Sequence, residues 1–375
     1  MIGVVTTSYP RSLDDGAGVF VRERVRALRQ QGHTVEIIAA GDPGCLGEDG
    51  VTRIPAQGLF YAGGAPEALE DGELARRMLA WGKALGFSLA MFGQIASRRG
   101  RWRAVESHWL LPCGLCASVT LPGIPHRSHI HGGDLFLLRR LPFGDSLGRN
   151  LCRTRPELVF ASAQLRDEFA ELVQVPPESL GARCRVEAAP FDRSLFYPRP
   201  ADERQRLRAL LGFVRPTVLA AGRLVPIKGF DVLIAAVAAI PPGARPDLVL
   251  AGDGPELPKL SRLASSSDVQ LRLVGTLGQR GLSRTMAAAD LFVHPCRTLS
   301  DGRTEGMPLV VREALACGLP VIASASGGLC ELQGADGLRL VNSDDVPALA
   351  AAIRAAFDPT TGFANPVGVM PGKPC

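Results

Sequence analysis

Ile2-Gly-Val-Val-Thr-Thr7 leads through Asp14-Asp-Gly-Ala-Gly18 to Val21–Gln31 and then to Thr34–Ala40. The first run is short and mostly apolar, as a strand buried on both faces requires. Val21–Gln31 repeats its apolar residues at helical spacing and stops at Gly32, a favourable helix end. Strand, glycine loop, helix and strand form a βαβ unit, the building block of a parallel sheet flanked by helices. Working outward, further strands are expected at Ala104–Ser107, His126–His131 and Leu158–Ala161. Helices are expected across Pro66–Ile95, Leu110–Val119 and Ser162–Leu172.

A second round starts after the proline-rich Phe196-Tyr-Pro-Arg-Pro-Ala201. Its expected strands are Thr217–Ala221, Asp247–Gly252, Leu271–Val274, Leu291–His294 and Pro320–Ala323. Helices at Asp231–Ala239, Glu256–Ser265, Gly281–Ala288, Pro308–Cys317 and Val346–Phe357 complete the alternation. With 375 residues, about 2.5 times a 150-residue domain, the chain has room for two lobes. The fold class is therefore α/β: two doubly wound, Rossmann-like lobes facing a central cleft, with ligands beyond the carboxyl ends of the strands. The expected division is 1–195 and 196–357, followed by an irregular tail, 358–375, whose four prolines and three glycines exclude a long helix.

Forty-two basic against 37 acidic residues leave a formal charge of only +5, which excludes a dedicated nucleic-acid binder. No uninterrupted apolar run reaches about 18 residues, and Met1 is not followed by the basic leader of an export signal. Nine dispersed cysteines fit reduced thiols and a cytoplasmic protein. Cys113-Gly-Leu-Cys116 has no second ligand pair for zinc and is read as two packed thiols.

The chemistry concentrates in Glu305-Gly-Met-Pro-Leu-Val-Val-Arg-Glu313 and in Gly222-Arg-Leu-Val-Pro-Ile-Lys-Gly229. Glu305 precedes a helix and Glu313 lies on it; helical side chains tilt toward the N-terminus, so Glu313 aims at the helix mouth. Free amides and the positive dipole end at that mouth suit a diphosphate, and a carboxylate beside it can accept hydroxyls of a ribose or a hexose. Arg223 and Lys228 share one strand-to-helix loop, a planar fork and a point charge within reach of the same diphosphate. Two cations in a loop are more often simply solvated; their place at the same sheet end as the glutamates favours phosphate.

Together with Gly252-Asp-Gly-Pro255 and Gly327-Gly328, these segments resemble family 4 of the retaining nucleotide-sugar glycosyltransferases, which have the two-lobed GT-B fold. The resemblance implies that Arg223 and Lys228 hold the donor diphosphate, Glu313 the ribose hydroxyls and Glu305 the transferred sugar. It also implies contacts from Gly222 and from backbone around Gly306, Met307 and Leu309, and a loop, Gly275-Thr276-Leu277, framing the base. In the first lobe it implies a glycine loop, Gly16-Ala17-Gly18, and a histidine near the reacting sugar, here His131. His108 and Asp134 are acceptor-side candidates, with His108 evenly placed between cleft lining and core, while His126 and His129 read as packing residues.

The implied activity moves a hexose from a nucleoside-diphosphate sugar to a glycan or lipid-linked acceptor with retention. No cofactor is expected, and no metal, because no Asp-x-Asp motif occurs and the two cations can stabilise the leaving group. Residues 76–103 interleave Trp81, Phe87, Phe92 and Trp102 with arginines, so peripheral contact with the inner face of a membrane stands beside an ordinary core helix. A nucleotide-sugar epimerase of the same architecture and a non-catalytic sugar-nucleotide-binding subunit are the alternatives.

Overall fold

A computed structural model describes residues 1–12, 15–41, 45, 50–56, 74–153 and 156–358. The expected tail beyond Asp358, and residues 66–73 of the expected helix at Pro66–Ile95, lie outside them. The chain divides into two compact units, Met1–Phe191 and Asp192–Cys375, which places the division four residues before the expected 195/196 boundary.

The first unit is built on seven parallel strands: β1 (Ile2–Thr6), β2 (Val35–Ala40), β3 (Val51–Ile54), β4 (Ala104–His108), β5 (His126–Ile130), β6 (Pro156–Phe160) and β7 (Cys184–Val186). Their spatial order is β3-β2-β1-β4-β5-β6-β7. The helices are α1 (Val19–Gln30), α2 (Leu74–Ala96), α3 (Leu115–Thr120), α4 (Gly133–Arg140), α5 (Gly144–Arg153) and α6 (Ala163–Val173). Order reverses between β1 and β4, and a crevice opens at such a reversal beyond the strand ends. The residues after Thr6 and His108 therefore flank it.

The second unit repeats the plan with β8 (Thr217–Ala221), β9 (Asp247–Ala251), β10 (Leu271–Leu273), β11 (Leu291–His294), β12 (Val321–Ser324) and β13 (Leu338–Val341), ordered β10-β9-β8-β11-β12-β13. Around them lie α7 (Ala201–Leu211), α8 (Phe230–Ala238), α9 (Leu257–Ser266), α10 (Gln279–Ala288), α11 (Leu309–Ala316) and α12 (Val346–Ala356). Every residue of β8, β11 and β12 is buried, as central parallel strands covered on both faces should be. Val218, Ala220, Leu250, Val293 and Ile322 pack with α8 and α12 in one core. The reversal here lies between β8 and β11, so the Gly222–Gly229 loop and the chain after His294 share one crevice.

Two expectations change. The helix expected over Leu110–Val119 breaks: a wide turn at Leu110–Gly114 precedes α3, with Leu111 extended before Pro112. A residue before proline is pushed out of the helical region, and Leu111 follows that rule. Seven described cysteines, Cys113 and Cys116 among them, are free thiols, whereas Cys330 is disulfide-bonded, so reduced thiols throughout does not hold.

Candidate active site

The two crevices are built from different chemistry. In the second unit the Gly222–Gly229 loop is clamped on both sides. Gly222 N–H donates to the Ala251 carbonyl at 2.9 Å, Leu224 N–H to Asp253 at 2.9 Å, and Glu256 N–H returns to Leu224 at 3.0 Å. The Gly252-Asp-Gly-Pro255 motif is thus the brace of this loop. From the other side, Arg297 N–H donates to the Ile227 carbonyl at 2.9 Å.

Fixed in this way, Lys228 meets Glu305, Nζ to Oε1 at 3.0 Å, with both side chains more than four-fifths buried. Burial alone would raise the Glu305 carboxyl pKa, but the Lys228 ammonium and the Arg223 guanidinium more than offset it and hold it below its ordinary value. Glu305 is itself held from behind. Gly327 has φ 60°, and a Cβ there would overlap the Glu305 carbonyl oxygen, so the backbone approach demands glycine. Gly328 N–H reaches the same carbonyl at 3.3 Å.

α11 starts after Pro308, which is extended and gives no side-chain cap, so the first-turn amides are left for a ligand. Glu313, one turn further in, is 2% exposed. The side chain of Gln279, the first residue of α10 after the Gly275–Leu277 loop, lies near its carboxyl group. Its Oε1 is buried without a partner. Burial pushes the Glu313 pKa up to about 7, against Gln279 and Arg312.

An acid whose pKa rises on folding is protonated in the native state while still ionised in the unfolded chain, so stability falls as pH climbs between the two values. For a rise from 4.5 to about 7 the loss is about 3 kcal/mol. Glu313→Gln, which cannot ionise, should remove most of that decline and raise the Tm of the ligand-free protein at pH 8. Parallel thermal scans of both proteins from pH 5 to 8 check this; identical slopes would contradict it.

In the first unit, Gly18 has φ 69° and opens α1, and its Cα lies where a Cβ would strike the Ser8 backbone. Gly16 is exposed, with open space around its Cα. His131 follows β5, half-buried, and its Nε2 lies 3.2 Å from His108 Nδ1. His108 is 2% exposed. Phe20, from the first turn of α1, packs on both His108 and His131.

Two family models match the chain: Glycosyltransferase Family 4 over residues 15–181 and Glycosyl transferases group 1 over residues 215–358. The chain belongs to family 4 of the glycosyltransferases. A GDP-mannose-dependent alpha-(1-6)-phosphatidylinositol monomannoside mannosyltransferase of Mycolicibacterium smegmatis is 37% identical over 71% of this chain. The chain spans 63% of that relative's length. An MMP alpha-(1->4)-mannosyltransferase of Mycolicibacterium hassiacum is 27% identical, over 92% of this chain and 86% of its own. Among solved structures, sucrose-phosphate synthase of Thermosynechococcus elongatus superposes with a TM-score of 0.72 at 22% identity, over 97% of this chain and 92% of its own. That likeness shows the fold, GT-B.

Within this family 4 chain, Gly222, Arg223, Lys228, Glu305 and Glu313 gather at one sheet reversal, with Gly306, Met307 and Leu309 at the start of α11. Gly275, Thr276 and Leu277 immediately precede Gly278 and α10, whose Gln279 lies near Glu313, so the loop that the resemblance assigns to the base adjoins the carboxyl group it assigns to the ribose. Asp134 is placed differently from an acceptor-side ligand. It is 2% exposed and accepts from the backbone N–H of Leu110 (2.8 Å), His131 (3.2 Å), Gly132 (3.0 Å) and Leu135 (3.1 Å). Its carboxylate is occupied in tying the segment after β4 to the turn after β5.

One residue of the donor side escaped the sequence reading. His294 ends β11, is fully buried, and neither ring nitrogen has a hydrogen-bond partner. Burial, then the charge of Lys228, lowers its pKa to about 3, so a neutral ring lies near the Lys228–Glu305 pair. The available signal was a polar residue at the carboxyl end of an otherwise apolar strand, Leu291–His294.

Proposed function

We propose that this chain transfers a hexose, with retention and without a metal, from a nucleoside-diphosphate sugar to a lipid-linked or glycan acceptor. The observation that carries the reading is the Lys228–Glu305 pair at the β8/β11 reversal, close in sequence to a buried carboxyl group with one unpartnered oxygen. A donor bound there would place its diphosphate against Lys228, Arg223 and the amides opening α11, its ribose on Glu313 and its sugar on Glu305. Charge that develops on the departing diphosphate then falls on groups already positioned. The family resemblance assigns His131 a place near the reacting sugar. The names of the mannosyltransferase relatives support mannose as the sugar, GDP-mannose as the donor and a phosphatidylinositol mannoside type of acceptor. Mass spectrometry of the purified chain with a panel of nucleotide sugars tests the donor. Retention of GDP-mannose is expected; binding none of the panel would remove the reading.

Contact with the inner face of a membrane is part of the proposal. No helix among the described residues is long and apolar enough to cross one. α2 nevertheless buries Ala80, Phe87, Met91 and Ile95 on one side while exposing Met78, Leu85 and Leu89 by more than 60% on another, with Trp81 and Phe92 on the same stripe. A surface helix with apolar residues on its outer face suits an interface. Leu85→Glu with Leu89→Glu should abolish co-sedimentation with anionic phospholipid vesicles and leave bare nucleotide affinity unchanged. Unaltered co-sedimentation would sink the assignment to α2.

A further inference from the structure

In the first unit, His108 and His131, both singled out by the sequence, join His129 and Glu106 in one stack of polar side chains. Register pairs His108 of β4 with His129 of β5, and places Glu106 two residues earlier on the same side of β4. The His108 and His129 rings are parallel within 10° at 4.5 Å, and His131 continues the stack at 5.4 Å from His108. At the far end His129 Nε2 lies 3.4 Å from Glu106 Oε2. Arg24 of α1 forks onto Glu106 through two hydrogen bonds, 2.7 and 2.6 Å. Phe20, one turn before Arg24, closes the stack over His108 and His131.

Burial holds His108 well below its ordinary pKa and His131 at about 3, with the neighbouring His129 contributing to both, so each ring is neutral near pH 7. A neutral imidazole carries one N–H. The 3.2 Å contact between His108 Nδ1 and His131 Nε2 therefore holds one hydrogen, and two complementary tautomer pairs satisfy it. They differ at His108 Nε2, which is buried without a partner. Leaving an N–H there costs more than leaving a lone pair, since buried donors are the rarer orphans. Arg24 on the adjacent carboxylate also favours a lone pair over a second N–H on this side. His108 is then the donor, through Nδ1–H, and His131 accepts at Nε2 and carries its proton on Nδ1.

We propose that His108 is a positioning residue that fixes His131 as its Nδ1–H tautomer, and that Arg24, Glu106 and His129 hold His108 in place to do so. The consequence rests on the reading of His131 as the residue facing the sugar: it would meet the sugar as a hydrogen-bond donor rather than as a base. Glu106, His108 and His129 also bring three potential ligand atoms within 4.8 Å of one another. The Arg24 fork already occupies both Glu106 oxygens, which disfavours a cation there.

Long-range ¹H–¹⁵N spectra of the ¹⁵N-histidine-labelled full chain read the tautomer without reference to activity. The wild type should show His131 as a single Nδ1–H form. His108→Phe keeps the ring stack but loses the donor, and should give mixed His131 tautomers with kcat about tenfold lower at unchanged donor KM. His108→Asn sets an amide N–H where Nδ1 was and should restore both the single tautomer and most of kcat. An unchanged His131 tautomer in His108→Phe would overturn the proposal, as would stoichiometric zinc binding that His129→Gln abolishes. A tautomer that shifts with no change in kcat would uphold the positioning and instead remove His131 from the sugar face.

Discussion

Lys228→Ala is expected to lower kcat by about 10²-fold or more, the effect of losing one preorganised group that stabilises a departing oxyanion. The Lys228 ammonium sits 3.0 Å from Glu305, so its removal acts twice. The departing diphosphate loses a cation, and Glu305 keeps a mostly buried charge with its main partner gone. Arg223→Ala should cost a similar factor in kcat, because the diphosphate loses a second cation while the loop itself stays held by its backbone bonds to Ala251 and Asp253. Steady-state rates with donor and acceptor, on variants with unchanged far-ultraviolet dichroism, decide the matter. Near-normal kcat in both would remove the pair from leaving-group stabilisation.

Glu313→Ala and Glu305→Ala should separate binding from turnover. Glu313 lies inside α11, buried near Gln279 and with Oε1 unpartnered, the arrangement of a seat for a ligand hydroxyl. Its loss should weaken affinity for the bare nucleoside diphosphate by at least tenfold, on the scale of a hydrogen bond to a buried polar group. Glu305 stands before the helix and is paired with Lys228. Its replacement should leave bare nucleotide binding within a few fold and fall on kcat with the full sugar donor. Calorimetry with the bare nucleoside diphosphate reads the difference, and equal losses in both variants would refute the division of labour.

What the sequence disclosed follows burial. β8 and β11 coincide with their expected bounds because all their residues are buried and their apolar runs are unbroken. β3, β7 and β13 went unread: each lies at a sheet edge, is only three or four residues long and carries an arginine, although β10, equally short and with its own arginine at the other edge of the second sheet, was expected. α7 buries none of its residues and so carries no core stripe to recognise. Motifs confined to one loop, such as Gly222–Gly229, were legible since their partners are near in sequence. The Arg24–Glu106 fork joins residues 82 apart, and only strand order brings them together. Asp134 shows the converse: an acid beside His131 suggested a ligand, while the fold spends its oxygens on four backbone amides.

The central claim is metal-free transfer of a hexose from a nucleotide sugar to a lipid-linked acceptor. Incubating the purified chain with GDP-mannose and a phosphatidylinositol mannoside acceptor, with excess EDTA and without it, measures this most directly. The account predicts mannosylated lipid and released GDP at the same rate in both reactions, and neither product from the Lys228→Ala protein above about 1% of that rate. Loss of all transfer in EDTA, restored by manganese or magnesium, would contradict it.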